Sequence, residues 1–364
     1  MSKSAEILKL TARKAVMIGS RKTQKGGDHS VNVQAEQVTV NTGLSIAHVK
    51  EIALEVFEGN FYKLAGVAKE TADERARQIT DQFLQELAEK NPEGLKASED
   101  PDFQHSLFQT QKEYARCGDK ELGDILVDIL VDRSKEEQRS LLQIVLNESL
   151  TIAPKLNSIQ LDILACCFNI AYTKRLDIVN SKTFEDYLNN AVLVFADAVG
   201  EKDSNYKHME YVGCASIRAG SRDILKTLMK QYKAIFCKGF DREALGELVK
   251  ECPSIRSVVI PNLHNVNLFQ AGGMDDEVIK NICAKNSIPE EAMNKLIQLN
   301  NKNMMSQQEA TEYLQSKCPK FEKFMADVKN SSFKNLELTS VGIAIAHAHS
   351  RKKVGFDADL SIWI

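Results

Sequence analysis

A chain of 364 residues with 43% hydrophobic and 27% charged side chains can bury one large core or two adjoining ones, and its balance is that of a soluble globular protein. No apolar run approaches the roughly 20 residues that span a bilayer, and the N-terminus lacks a signal peptide's apolar stretch, so a cytoplasmic protein without a transmembrane segment is expected. The net charge of −3 is uneven: residues 1–25 carry Lys3, Lys9, Arg13, Lys14, Arg21, Lys22 and Lys25 against Glu6 alone, an arm of +6 that leaves −9 for the rest.

Such an arm could touch nucleic acid or an anionic membrane surface through Lys9, Arg13, Lys14, Arg21, Lys22 and Lys25, or simply stand solvated. Residues 26–43 follow as a β-type ribbon. Val31, Val33 and Ala35 alternate in one phase and Val38 and Val40 in the other, with the change near Glu36 and Gln37 reading as a bulge between two short strands. Two strands alone are marginal in water, so they need a partner in this chain or in another copy, and Val31, Val33, Val38 and Val40 are the expected oligomer contact.

From Ile46 to about Lys90 apolar residues recur at helical spacing, as one long helix or two broken near Gly59 or Gly66. Phe57, Phe61 and Tyr62 cluster there and read as packing residues. Residues 96–101 read as a polar loop, and helices are expected over 103–116, 120–132, 136–150, 158–171 and 184–199, with two more within 205–238. No repeat of fixed length recurs, which favours an irregular bundle over a regular solenoid.

After residue 252 the texture changes. Residues 255–260 suit a short strand, 262–274 an ordered loop, and Ser306 with Glu309 has capping-box spacing at the start of a helix. At the end, 333–338 alternates as a strand, Thr339 or Ser340 caps a helix that Gly355 stops, and 359–364 is expected to dock as a strand against Leu336 and Leu338. The expected domains are the arm (1–25), the ribbon (26–43), a helical domain (44–252) and a smaller α+β region (253–364), in a mainly α fold with short β elements.

The segment Gly-Gly-Asp-His-Ser-Val-Asn-Val-Gln at 26–34, with the helical block after it, resembles the start of uncharacterised bacterial cytosolic helical proteins associated with phage defence. Leu338-Thr339-Ser340-Val341-Gly342 is similar to the Leu-Thr-x-x-Gly ending of abortive-infection-type families. The resemblance implies a helical defence-associated protein without an assigned catalytic site.

Catalytic signatures are missing. There is no GxSxG, HExxH, GxGxxG after a strand or kinase set, and no arginine followed four to six residues later by histidine. Eight cysteines lack any CxxC pair and read as buried thiols, so no metal and no cofactor are assigned. His208 and Cys214 stand too far apart on one helix for a nucleophile and base, and Asp275-Asp276 suits a helix start. His347 and His349 would project about 200° apart on a helix, a poor shared metal site; with Arg351, and with Lys352 and Lys353 beside it, they suit an anionic ligand better.

The expected function is therefore a non-enzymatic, oligomeric interaction or sensor protein of the bacterial cytosol. The alternatives are a nucleic-acid or membrane-surface binder acting through the basic arm, and a helical hydrolase or nuclease with a dispersed site.

Overall fold

Helix-compatible spacing dominates the chain, and a computed structural model, which describes residues 45–60 and 64–364, is mainly α with a few short strands. The ribbon with Val31, Val33, Val38 and Val40, the arm with Lys9, Arg13, Lys14, Arg21, Lys22 and Lys25, and Phe61 and Tyr62 all lie outside the described residues.

The first helices are α1 (Ile46–Asn60), α2 (Val67–Lys90), α3 (Pro101–Cys117), α4 (Lys120–Arg133), α5 (Leu141–Ile152) and α6 (Ser158–Ala171). Gly66, at φ +57°, separates the long N-terminal pattern into α1 and α2, a conformation glycine adopts without steric cost. The polar stretch before α3 is a 3-10 turn over Pro92–Glu99 rather than a loop, and Ser140 caps α5 later than the pattern suggested. Next come α7 (Ser181–Tyr187), α8 (Asp203–Tyr211), β1 (Ala215–Ile217), α9 (Ile224–Gln231) and α10 (Arg242–Glu251). The single helix expected over 184–199 is α7 followed by a π turn over Leu188–Val192 and a 3-10 turn over Leu193–Ala198.

The remainder holds β2 (Val259–Pro261), β3 (Phe269–Ala271), α11 (Asp276–Lys285), α12 (Glu290–Lys302), α13 (Gln307–Lys317), α14 (Phe321–Asn330), β4 (Leu336–Leu338) and α15 (Ser340–Val354). Asp275 caps α11 by accepting from the Val278 amide, and Ser306 and Glu309 form the capping box of α13. β3 lies within the segment expected to be loop and pairs antiparallel with β2, Val259 opposite Ala271. β4 pairs antiparallel with β1, Ile217 opposite Leu336, across more than a hundred residues of chain.

Among the described residues two main cores form, beside a small cluster of Phe57, Ala72, Ala76 and Ala115. Phe240, Leu245, Leu248, Ile255, Ile279 and Leu296 pack into the smaller main core, between α10, α11, α12 and the β2–β3 pair. In the larger, α15 runs through the centre against α4, α5 and α6, buried on every side from Gly342 to Ser350. Alternating small residues (Gly342, Ala344, Ala346 and Ala348) let neighbouring helices approach that closely.

Gly342 gives the Leu-Thr-x-x-Gly segment a structural account. Thr339 caps α15 by accepting from the Gly342 amide at 3.2 Å, donates its hydroxyl to the Gly213 carbonyl at 2.7 Å, and donates its own amide to the Cys214 carbonyl at 3.0 Å. The same Cys214 carbonyl oxygen occupies the place a Cβ on residue 342 would take, so only glycine fits. Gly355, at φ +66°, ends the helix.

The tail is docked, though not as a strand. Leu360–Ile362 is a 3-10 turn; Trp363 lies 5.1 Å from the Phe168 ring and donates Nε1–H to the Tyr172 carbonyl at 2.7 Å. Tyr172 also accepts the Leu338 amide at its hydroxyl, so the tail meets β4 through Tyr172. A strand would have buried Ile362, which is instead exposed.

Candidate functional site

The polar residues of the larger core concentrate where α15 meets α2 and α4. On α4, Asp124, Asp128 and Asp132 recur every four residues and form one acidic stripe on a helix otherwise packed with Ile, Leu and Val. Asp128 is fully buried, and burial of a charge demands a partner. It has two: Lys90 Nζ of α2 at 2.9 Å and Arg351 Nη1 of α15 at 3.0 Å. Arg351 also reaches Asp132 at 3.1 Å, Lys135 reaches Asp132 at 2.7 Å, Lys90 reaches Glu86 at 2.8 Å, and Lys352 reaches Glu86 at 2.6 Å.

The result is a chain of alternating charge, Lys352, Glu86, Lys90, Asp128, Arg351, Asp132 and Lys135, that ties α2, α4 and α15 together. Burial works against the charged form of Arg351, but Asp128 and Asp132 overcome it and raise its pKa. Glu86 is likewise disfavoured by burial yet held below the usual carboxylate range by hydrogen bonds from Lys352 and Lys90.

Beside this chain lies a cavity of about 540 Å³ with a mixed lining. Lys90, Asp132, Lys135, Glu136 and Arg351 contribute its charged groups, Leu142 and Leu146 of α5 an apolar patch, and residues 357–361, the segment just after α15, the rest. His347, buried in α15, holds that segment by hydrogen-bonding the Ala358 carbonyl at 2.8 Å through Nε2, and its ring meets Phe168, Phe356 and Trp363.

Burial first, and the neighbouring Arg351 guanidinium second, lower the His347 pKa below its ordinary 6.5. The native state thus prefers neutral His347, while the unfolded chain takes up a proton near pH 6.5. Stability from this group is fully present above that pH and is lost as pH falls below it, by at most about 1.4 kcal/mol per pH unit. Denaturant midpoints across pH 7 to 5 are expected to fall less steeply for His347→Gln than for the wild type; equal slopes would remove His347 as the cause.

His349, two residues on, faces away as helical geometry requires. Its Nε2 lies 2.7 Å from Asp162 Oδ1 of α6 and 3.9 Å from Glu121 Oε1 of α4, and Lys353 Nζ contacts the same Asp162 oxygen at 2.6 Å. Burial opposes ionisation of Asp162, but hydrogen bonds from His349 and Lys353 hold its carboxyl below the usual range. The donor atoms of Glu121, Asp162 and His349 fall within 4.8 Å of one another, so this trio is the group among the described residues that could hold a metal.

The two histidines and Arg351 singled out in the sequence therefore belong to one helix but to two different clusters. His347 and Arg351 adjoin the cavity; His349 does not. Arg351 is committed to Asp128 and Asp132, so anion binding at this arginine would have to compete with two carboxylates. Sequence reasoning missed Glu86, Lys90, Asp128, Asp132 and Lys135. The acids every four residues on an apolar helix were the available signal.

Other candidates resolve as packing. Cys117 is exposed and the remaining seven cysteines are buried. Burial pushes the Cys167 and Cys318 thiols up to about 11 and Cys214 to about 12, which leaves them protonated and unreactive at neutral pH. His208 is 2.9 Å from the Gln160 amide and stacks on Tyr211. Asp275, besides capping α11, pairs with Lys174. No helix among the described residues is long and apolar enough to cross a membrane.

No curated protein and no solved structure matches the chain. A family model described only as ":-like" matches residues 43–364, and the chain belongs to that family, which carries no assigned function.

Proposed function

We propose that the protein is a non-enzymatic interaction or sensor protein, and that the cavity beside α15 takes a small polar ligand carrying both hydrogen-bond donors and acceptors. The observation that carries this reading is the position of the cavity. It lies between the ion-paired interface of α2, α4 and α15, the Leu142 and Leu146 side of α5, and the 357–361 segment that His347 ties back to its own helix.

A ligand there would touch four helices, α2, α4, α5 and α15, and the tail at once, which suits sensing. The lining favours recognition over chemistry, because Lys90, Lys135 and Arg351 each already hold a carboxylate, and His347, behind the lining, is committed to the Ala358 carbonyl. Assembly through the ribbon, a bacterial cytosolic setting and a role in antiphage defence complete the proposal; they are supported by the Val pattern and by the resemblance at residues 26–34 and 338–342.

The test is a thermal-shift screen of the full chain against free amino acids, ribonucleotides and sugar phosphates, repeated with Lys135→Glu. Lys135 lines the cavity and is about half exposed. Its charge reversal removes one of the two partners of Asp132, which keeps Arg351, so the variant's melting temperature without any compound is measured first and serves as its own baseline. Stabilisation by a compound that Lys135→Glu abolishes is the expected result. Stabilisation indifferent to that substitution, or none from any compound, would count against the cavity.

A further inference from the structure

The geometry points to a divalent transition-metal site at Glu121, Asp162 and His349, with Lys353 as the internal cation that a bound ion displaces. Each ligand comes from a different helix, α4, α6 and α15, and α4 and α6 both pack against α15 in the larger core. The donors are therefore positioned by rigid elements rather than by loops. His349 is 1% exposed and presents Nε2 to the two carboxylates, while its ring lies 5.7 Å from Phe195.

A tetrahedral ion with bonds of about 2.0 to 2.2 Å sets its donors about 3.4 Å apart. The separations of 2.7 and 3.9 Å from Nε2 to the two carboxylate oxygens bracket that value, so small side-chain adjustments suffice. One imidazole with two carboxylates selects zinc and its first-row neighbours over magnesium or calcium, which prefer all-oxygen sites. The partial exposure of Glu121 and Asp162 leaves a path from solvent and room for a water as fourth ligand.

Lys353 marks where positive charge is stabilised. Its Nζ sits 2.6 Å from Asp162 Oδ1 and 3.8 Å from Glu121 Oε1, over the Phe195 ring at 5.4 Å, on a flexible stem about one third exposed. An arriving ion would replace that ammonium, which can swing into water.

Calorimetric titration of the full chain with Zn²⁺, in a Cys117→Ser background to remove the exposed thiol, tests the site. One ion per chain is expected, with Mg²⁺ silent. Asp162→Asn and Glu121→Gln should each abolish binding, and Lys353→Met should tighten it by about tenfold by removing the competing cation. Glu121 lies in the first turn of α4 and is partly exposed, so the loss in Glu121→Gln is readable even if Asp162→Asn perturbs folding. No Zn²⁺ binding, binding unchanged in Glu121→Gln, or binding no tighter in Lys353→Met would overturn the assignment.

Discussion

Gly342→Ala is expected to destabilise the protein by about 3 kcal/mol or more, among the largest effects open to a single added methyl group. The added Cβ would run into the Cys214 carbonyl oxygen, and that oxygen cannot yield as a side-chain tip could. It also accepts the Thr339 amide at the entry to α15, and Thr339 follows directly on the β1–β4 pair. Pushing it away would therefore disturb the cap, the strand pairing and the central helix together.

Urea denaturation checks this, with Gly246→Ala as the control. Gly246 lies inside α10 with nothing near its missing Cβ, so the same substitution there should stabilise by roughly 0.5 to 1 kcal/mol. A mild effect at 342, similar to that at 246, would mean the helix can shift and that the Leu-Thr-x-x-Gly segment is not a packing device.

Arg351→Met should cost about 3 kcal/mol, because it removes charge from a site where the partner stays buried. Asp128 has no exposure to water, and after the substitution only Lys90 would face it. Asp132 retains Lys135, which softens the loss. The stranded carboxylate is the cause, so adding Asp128→Asn to Arg351→Met should recover part of the stability. Denaturant midpoints of the two single variants and the double variant separate this from loss of arginine packing: if the double is no better than the sum of the singles, the ion pair is not what Arg351 contributes.

Much of the helical architecture was legible because it rests on local physics. Ser306 with Glu309, Asp275 at a helix start and Gly355 at a helix end are capping signals that act within one turn, and all three stand where expected. The opposed directions of His347 and His349 followed from helical geometry alone. The three-residue strands were harder. β4 finds its partner across the whole middle of the chain, so β1 carried no local signal of its own.

The tail shows the limit of reading burial as strand. Ile362 and Trp363 promised docking, but one aromatic ring inserted against Phe168 achieves it without a ladder. The charged chain was invisible for a related reason: Glu86 and Lys352 are 266 residues apart, and only the packing of α2, α4 and α15 makes them neighbours. Acids spaced every four residues on α4 hinted at a polar stripe inside the core, but not at which cations would meet it.

Hydrogen exchange on the full chain, with and without the compound that most raises its melting temperature in the screen above, tests most directly that the cavity beside α15 is where the protein recognises its ligand. Slower exchange confined to residues 355–361 and to the α4 end around 132–136 is the predicted result. Protection elsewhere, with these two segments unchanged, would contradict it.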